Sequence, residues 1–232
     1  MVKKRRINWV SCVLPLGLLA CAFNAPAQTY LTVEGGKAFA DLNLGDFKAF
    51  NASIAAGGGQ ARLKHSDPDT AFVLGIGYQF HPNWGMELLY LDMGKASARS
   101  ISSDRVGTFT RNRTITESIE QDALAANLVG SVRIKDSLVL KASLGVGHVW
   151  QKSHGQATGQ TFNSLGQTVV SEAESRSRSS TQWAPVMGLG AGYQINEDWQ
   201  INLNWRRFAD LKPDMLGRMD IDLFTVGVQY HF

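Results

Sequence analysis

Five charged residues stand where strand alternation would turn them all to one side: Glu34, Glu87, Arg133, Lys141 and Arg206. Asn127, Ser143, Gln194, Asn202 and Asn204 share that parity. In an enclosed space such acids and bases must pair or stay hydrated, because an unpaired buried ion costs several kcal/mol. The expected pairing sets Glu34 and Glu87 against Lys141 and Arg206. Two uses of this network are open, a polar plug that fixes the fold and a narrow or gated solute path. Strand-lined spaces of this size are normally filled by side chains, which favours the plug.

The five histidines admit a second chemistry. His148, with Ser153 and His154 close behind, could serve acyl transfer, which needs a hydroxyl or carboxylate beside a positioned base. No His-x-Ser-Asn signature accompanies them. The histidines are scattered over separate connections without paired ligand spacing, and His65 in His-Ser-Asp-Pro reads as part of a turn. No catalytic residue, cofactor or metal site is therefore expected.

The elements that must hold these residues are strands. Apolar and polar residues alternate over eight stretches, near 30–39, 71–80, 84–95, 123–134, 138–150, 183–195, 199–208 and 222–232. Each is about ten residues, the length that crosses a bilayer when tilted. The last puts Phe224, Val226, Val228, Tyr230 and Phe232 on one face, against Thr225, Gly227, Gln229 and His231. The seventh sets Trp199, Ile201, Leu203 and Trp205 against a polar face of Gln200, Asn202, Asn204 and Arg206. Large apolar residues facing out and polar ones facing in is the pattern of a transmembrane β-barrel, because lipid gives open strand edges no hydrogen-bonding partner. Glycines at 75, 77, 145, 147, 188, 190, 192 and 227 leave space on the inner face.

Short and long connections alternate. His81-Pro82-Asn83, Lys135-Asp136-Ser137 and Asn196-Glu197-Asp198 read as tight turns, and the links near 40–70, 96–122, 151–182 and 209–221 are long. That asymmetry predicts periplasmic turns and extracellular loops. Tyr78, Phe80, Trp84, Trp199, Tyr230 and Phe232 gather at the turn end and Phe39, Trp150 and Trp183 at the other, as two interfacial girdles would. In the long links Gly57-Gly58-Gly59 and the run Ser171 to Ser180 read as flexible and solvated. Gln160 to Val170 reads alternatively as a hairpin turning at Ser164-Leu165-Gly166. Arg99, Arg105, Arg111 and Arg113 form a basic group suited to anionic sugars.

Residues 1–27 read as an export signal: Lys3, Lys4, Arg5 and Arg6, an apolar stretch, then Ala25-Pro26-Ala27 before Gln28. Leu18-Leu19-Ala20-Cys21 is an alternative lipidation site. Cleavage after Ala27 removes four bases and no acids, taking the formal net charge from +3 to −1 and with it the main support for nucleic-acid binding. Both cysteines, Cys12 and Cys21, fall within that segment, so residues 28–232, the barrel domain, hold no thiol.

The stretch AFVLGIGYQFHPNWGMELLYLDMG, from Ala71 to Gly94, resembles the second hairpin of the OmpA-type transmembrane domain. Leu138 to Trp150, Trp183 to Trp205 and the terminal LFTVGVQYHF continue the likeness in order. The resemblance implies an all-β, eight-stranded antiparallel up-and-down barrel in the bacterial outer membrane. It also implies that Phe232 completes the signal read by the insertion machinery. Where the family's lumen carries paired acids and bases, Glu87 holds the acidic place, but Asn127, Gly192 and Asn202 stand at its neighbours. OmpA proper continues into a peptidoglycan-binding domain, so cell-wall tethering is not carried over. Small barrels of related architecture include lipid A deacylases and acyltransferases. The expected role is that of a structural or surface-interaction protein, with a narrow porin-like channel as the alternative and a lipid A-modifying enzyme behind it. Expected partners are outer-membrane lipids and lipopolysaccharide, the insertion machinery, and host or cell-surface ligands met by the loops, with the barrel a monomer.

Overall fold

The computed structural model describes residues 28–41, 45–65, 69–135, 137–212 and 219–232. Residues 1–27, expected to be an export signal and holding Cys12 and Cys21, lie outside the described residues. In chain order the elements are β1 (Gln28–Asp41), α1 (Gly45–Ala56), β2 (Gln60–His65), β3 (Asp69–His81), β4 (Trp84–Val106), β5 (Phe109–Lys135), β6 (Leu138–Phe162), β7 (Thr168–Gln194), β8 (Trp199–Leu211) and β9 (Met219–His231). All pairings are antiparallel. Eight strands form a ring: β1 pairs with β3 and β9, β4 with β3 and β5, and β6, β7 and β8 follow in order. A closed ring leaves no backbone edge facing lipid.

The ring forms because each strand sorts its residues by side. On β3, Phe72, Leu74, Ile76 and Tyr78 are exposed, whereas Val73, Gly75 and Gly77 between them are buried. The outward residues of all eight strands make one apolar band, bounded by aromatic rings. At the turn end Tyr230 lies 4.9 Å from Trp199 and 5.0 Å from Phe232, centroid to centroid. At the other end Phe39 meets Phe224 edge-on at 5.7 Å, and His148 sits 4.8 Å from both Trp150 and Trp183. Both expected girdles are present.

The long connections differ from the expectation. Residues 96–122 and 151–182 are not flexible loops but continuations of β4, β5, β6 and β7, which run on past the upper girdle as two hairpins. The first turns at Gly107, whose φ of +63° favours glycine, and the second at Asn163–Gln167, around the expected Ser164-Leu165-Gly166. The Ser- and charge-rich run 171–180 is β strand. Its period-2 alternation of charge with small residues is as strand-like as an apolar one, and low hydropathy hid it. Residues 45–65, expected within a loop, form α1 and β2. β2 adds outside the ring to β4, over Ala98–Ser103, to extend the sheet beyond the girdle. Gly57-Gly58-Gly59 is a helix end and not a linker: amides of all three return to carbonyls of Ser53, Ala55 and Ile54, with Gly58 at φ +80°. Ser100 Oγ donates to Asn51 Oδ1 at 2.7 Å, and Arg113 lies over the Phe50 ring, which holds α1 to the sheet.

Candidate functional site

Inward-facing residues fill the lumen in two layers. The layer nearer the turns is polar and centres on Glu34. Arg206 donates Nη1 to Glu34 Oε2 at 2.6 Å and Nη2 to Glu34 Oε1 at 2.8 Å, a two-point ion pair. Asn204 Nδ2 adds a donor at 2.9 Å, Thr32 Oγ1 another at 3.3 Å, and Thr225 Oγ1 donates to the second oxygen. Both charged residues are at most 5 % exposed. A carboxylate so loaded with donors, facing a guanidinium that it meets at two points, offsets much of the cost of burying both charges.

Around this centre the other inward residues are tied to amides and hydroxyls. Tyr30 Oη donates to Glu87 Oε1 at 2.8 Å, and Lys141 Nζ donates to Gln229 Oε1 at 2.7 Å while lying 5.7 Å from the centre of the Tyr30 ring. Asn202 Nδ2 donates to Gln229 Oε1 at 3.0 Å and accepts from Gln200. The expected pairing is thus half right. Glu34 takes Arg206, but among the described residues no ion pair joins Glu87 to Lys141 or Arg206, and Glu87 accepts from Tyr30 instead. Strand parity already placed Tyr30 beside Glu34, so that signal was available. Arg133 is not enclosed: it lies exposed at the turn-end mouth, 3.4 Å from Gln194 Oε1. Asn127 is buried with neither amide atom hydrogen-bonded among the described residues.

Above lies a layer that sequence reading missed. Val73, Leu89, Leu91, Ala123, Ala125, Val149, Val186, Phe208, Leu211, Met219, Ile221 and Leu223 point inward and are at most 2 % exposed. They form one packed cluster across the lumen. The inner face of β8 is therefore polar only as far as Arg206, and Phe208 and Leu211 continue it as hydrocarbon. Nor do the inward glycines leave open space. A side chain at Gly77 would strike the Tyr30 ring, at Gly190 the Asn204 amide, and at Gly147 the Phe208 ring. These glycines receive a neighbour's side chain, because the missing Cβ lets another group come close to the backbone. Among the described residues the polar layer holds a cavity of about 20 Å³ beside Glu34 and Arg206 and one of about 70 Å³ at the turn-end mouth. The first has room for about one water.

Beyond the apolar layer Gln121, Gln151 and Ser153 are buried, with Gln182 Nε2 donating to Gln151 Oε1 at 3.1 Å. Ser153 and His154 are successive residues of β6 and point to opposite faces, and His148 is packed between tryptophans on the outside. Among the described residues no group of three or more His, Cys, Asp or Glu is placed to hold a metal ion.

An antiparallel ring of eight strands, with an apolar belt between aromatic girdles and a filled lumen, defines an outer-membrane β-barrel. The chain belongs to the outer membrane protein beta-barrel domain family, whose model matches residues 16–232. Membership places it in the bacterial outer membrane. Among solved structures it is similar to the attachment invasion locus protein Ail of Yersinia pestis, at 15% identity and TM-score 0.43 over 89% of this chain and 99% of that one. The outer membrane protein OprG of Pseudomonas aeruginosa is similar at 14% and 0.44, over 88% and 95%. Neisserial surface protein A is similar at 11% and 0.41, over 90% and 100%. None of these likenesses carries a function to this chain. No curated protein sequence matches it significantly.

Proposed function

We propose that this protein is a closed, non-enzymatic barrel that works through the sheet it raises outside the membrane. The observation that carries the reading is the double seal of the lumen. A solute would have to part the Glu34–Arg206 pair and then the apolar layer around Phe208, and neither cavity joins one mouth to the other. Outside, five strands and a helix are ordered at the cost of backbone entropy, an investment that a bare membrane plug does not need. The partners it would meet there are lipopolysaccharide and ligands on other surfaces. Phe232, outward-facing and 68 % exposed at the turn end, fits the role of the insertion signal.

Planar bilayers containing the purified protein test this. The expected result is no sustained conductance, together with unchanged lipid A by mass spectrometry in cells that express it. Stable ohmic steps would establish the channel reading, and a new lipid A species would establish an enzyme.

A further inference from the structure

The cavity of about 70 Å³ at the turn-end mouth is lined by three basic side chains, Arg133, Lys141 and His231, and by five glutamines. No Asp or Glu among the described residues lines it. Glu34 and Glu87 belong to the smaller cavity deeper in the lumen, and Lys141 lines both. In this half of the lumen the inward charges are Glu34 and Glu87 against Lys141, Arg206 and Arg133, one base in excess.

His231 shows which group the cavity lacks. Gln229 Oε1 accepts from Lys141 Nζ at 2.7 Å and from Asn202 Nδ2 at 3.0 Å, so the other end of that amide is its NH₂. The NH₂ meets His231 Nε2 at 2.9 Å, which requires a lone pair on that nitrogen. The imidazole proton therefore sits on Nδ1. His231 is 8 % exposed, and its Nδ1 has no hydrogen-bond partner among the described residues. A buried N–H is seldom left without an acceptor.

The two permanent bases have unused donors as well. Lys141 carries three, and among the described residues its ammonium gives one to Gln229 and enters no ion pair. Arg133 carries five and reaches Gln194 Oε1 at 3.4 Å. Arg133 on β5 lies four strands round the ring from His231 on β9, so the donors line opposite walls of one space.

We infer that this mouth binds a phosphate-type oxyanion from the periplasm. A buried water needs about 10–15 Å³, so the cavity takes about five, which is also the number of non-hydrogen atoms in a phosphate group. Chloride offers one centre and cannot meet donors on both walls. Four oxygens can, and charge-assisted bonds to Lys141 and Arg133 are the strong ones. Outer-membrane barrels turn their short connections to the periplasm, which sets the side of entry. Beyond the cavity the Glu34–Arg206 pair and the apolar layer fill the lumen, so the ion is held at the mouth. The site goes beyond the role proposed for the external sheet and does not rest on it. The phosphate is either the free ion or the end of a larger molecule whose remainder stays outside the mouth.

Full-length protein with ¹⁵N-labelled histidine, in an uncharged detergent that contains no phosphate, tests this by NMR. At about pH 8 an ordinary imidazole, with a pKa of about 6.5, is neutral, and His231 should show a protonated Nδ1 and a bare Nε2. Inorganic phosphate should move the Nδ1–H signal and saturate it, with about 0.15 M NaCl present to screen exposed charges beyond about 8 Å. Arg133→Gln changes an exposed residue and should weaken this binding about tenfold or more while leaving the phosphate-free spectrum of His231 in place. Lys141→Met should abolish the binding, and the Arg133 variant keeps the test valid where that one fails to fold. Glycerol 3-phosphate separates the two sources. A shift with inorganic phosphate alone assigns the free ion, a shift with both assigns the phosphate group on either carrier, and each supports the site. A His231 signal unmoved by about 10 mM of either compound, well above the millimolar range of a weak specific site, would overturn the proposal. So would a proton found on Nε2 in place of Nδ1, or an affinity unaltered in Arg133→Gln.

Discussion

Replacing Glu34 by Gln should be among the most damaging single changes in the lumen. The carboxylate receives two donors from Arg206 and one each from Asn204, Thr32 and Thr225. An amide of the same shape turns its NH₂ toward those donors and leaves the Arg206 charge buried without its counter-ion. Removing one member of a buried pair typically costs about 3–5 kcal/mol, or roughly two to three and a half powers of ten in the folding constant. Arg206→Met added to Glu34→Gln removes the stranded charge and should recover at least about 2 kcal/mol. Glu87→Gln, by contrast, loses one hydrogen bond to Tyr30 and should cost about 1 kcal/mol. Reversible urea unfolding in lipid vesicles, followed by tryptophan fluorescence, gives these differences. Conductance should stay absent in all three variants, because the apolar layer still seals the lumen. A loss below about 1 kcal/mol for Glu34→Gln, or a double variant no better than the sum of its parts, would refute the assignment of the pair as the lock of the polar layer. Channel opening in Glu34→Gln would move the whole seal to the ion pair.

Phe208→Ala should cost about 3–5 kcal/mol in the same unfolding assay, since the ring is fully buried between β6 and β7 neighbours, and should still not open the barrel. A short epitope placed in the turn Asn163–Gln167 should be displayed on intact cells with the barrel folded, whereas the same insertion after Ser153 should break the β6 ladder and lower the yield of folded protein. At the tip of the β4–β5 hairpin the Arg111 guanidinium, 2.9 Å from Asp104, holds that carboxyl below its ordinary value of 3.8. A depressed carboxyl stabilises above its unfolded value and loses that contribution as pH falls through the folded one. Protection of the amides at residues 104–111, measured against their intrinsic exchange rates, should therefore hold down to about pH 4 and fall below it, and Asp104→Asn should remove that fall.

The ring itself was legible because a strand's period is 2 and lipid penalises every error in it. Six of the eight expected spans lie inside the observed strands, 183–195 and 222–232 overrun β7 and β9 by one residue each, and the outward residues named for β8 and β9 are those in the lipid belt. The external sheet was not legible by the same rule. Beyond the girdle no lipid demands hydrocarbon, so β7 alternates Glu and Arg with Ser and Ala, and a hydropathy scan reads solvated chain. Charge alternation would have found it, since four charges at even positions between small residues fit a strand far better than a linker.

The lumen shows a different limit. Parity sent Glu34, Glu87, Lys141 and Arg206 inward correctly, because which side a residue faces is a property of its own strand. Which residues meet is a property of the ring. Glu34 on β1 finds Arg206 on β8 across the intervening β9, Glu87 on β4 finds Tyr30 on β1 across β3, and Lys141 on β6 reaches Gln229 on β9 from three strands away. None of these contacts is between strands that pair with each other. They depend on the tilt and stagger at which eight strands close, which lift a residue on one strand level with a residue many positions away on another. The same tilt gathers Leu89, Val149, Val186, Phe208 and Leu223 from five strands into one apolar plane, although no strand taken alone shows more than three such inward residues. A seal of that kind is a statement about the closed ring, and substitutions on different strands within the plane should couple energetically while equally close positions along one strand, on opposite faces, should not.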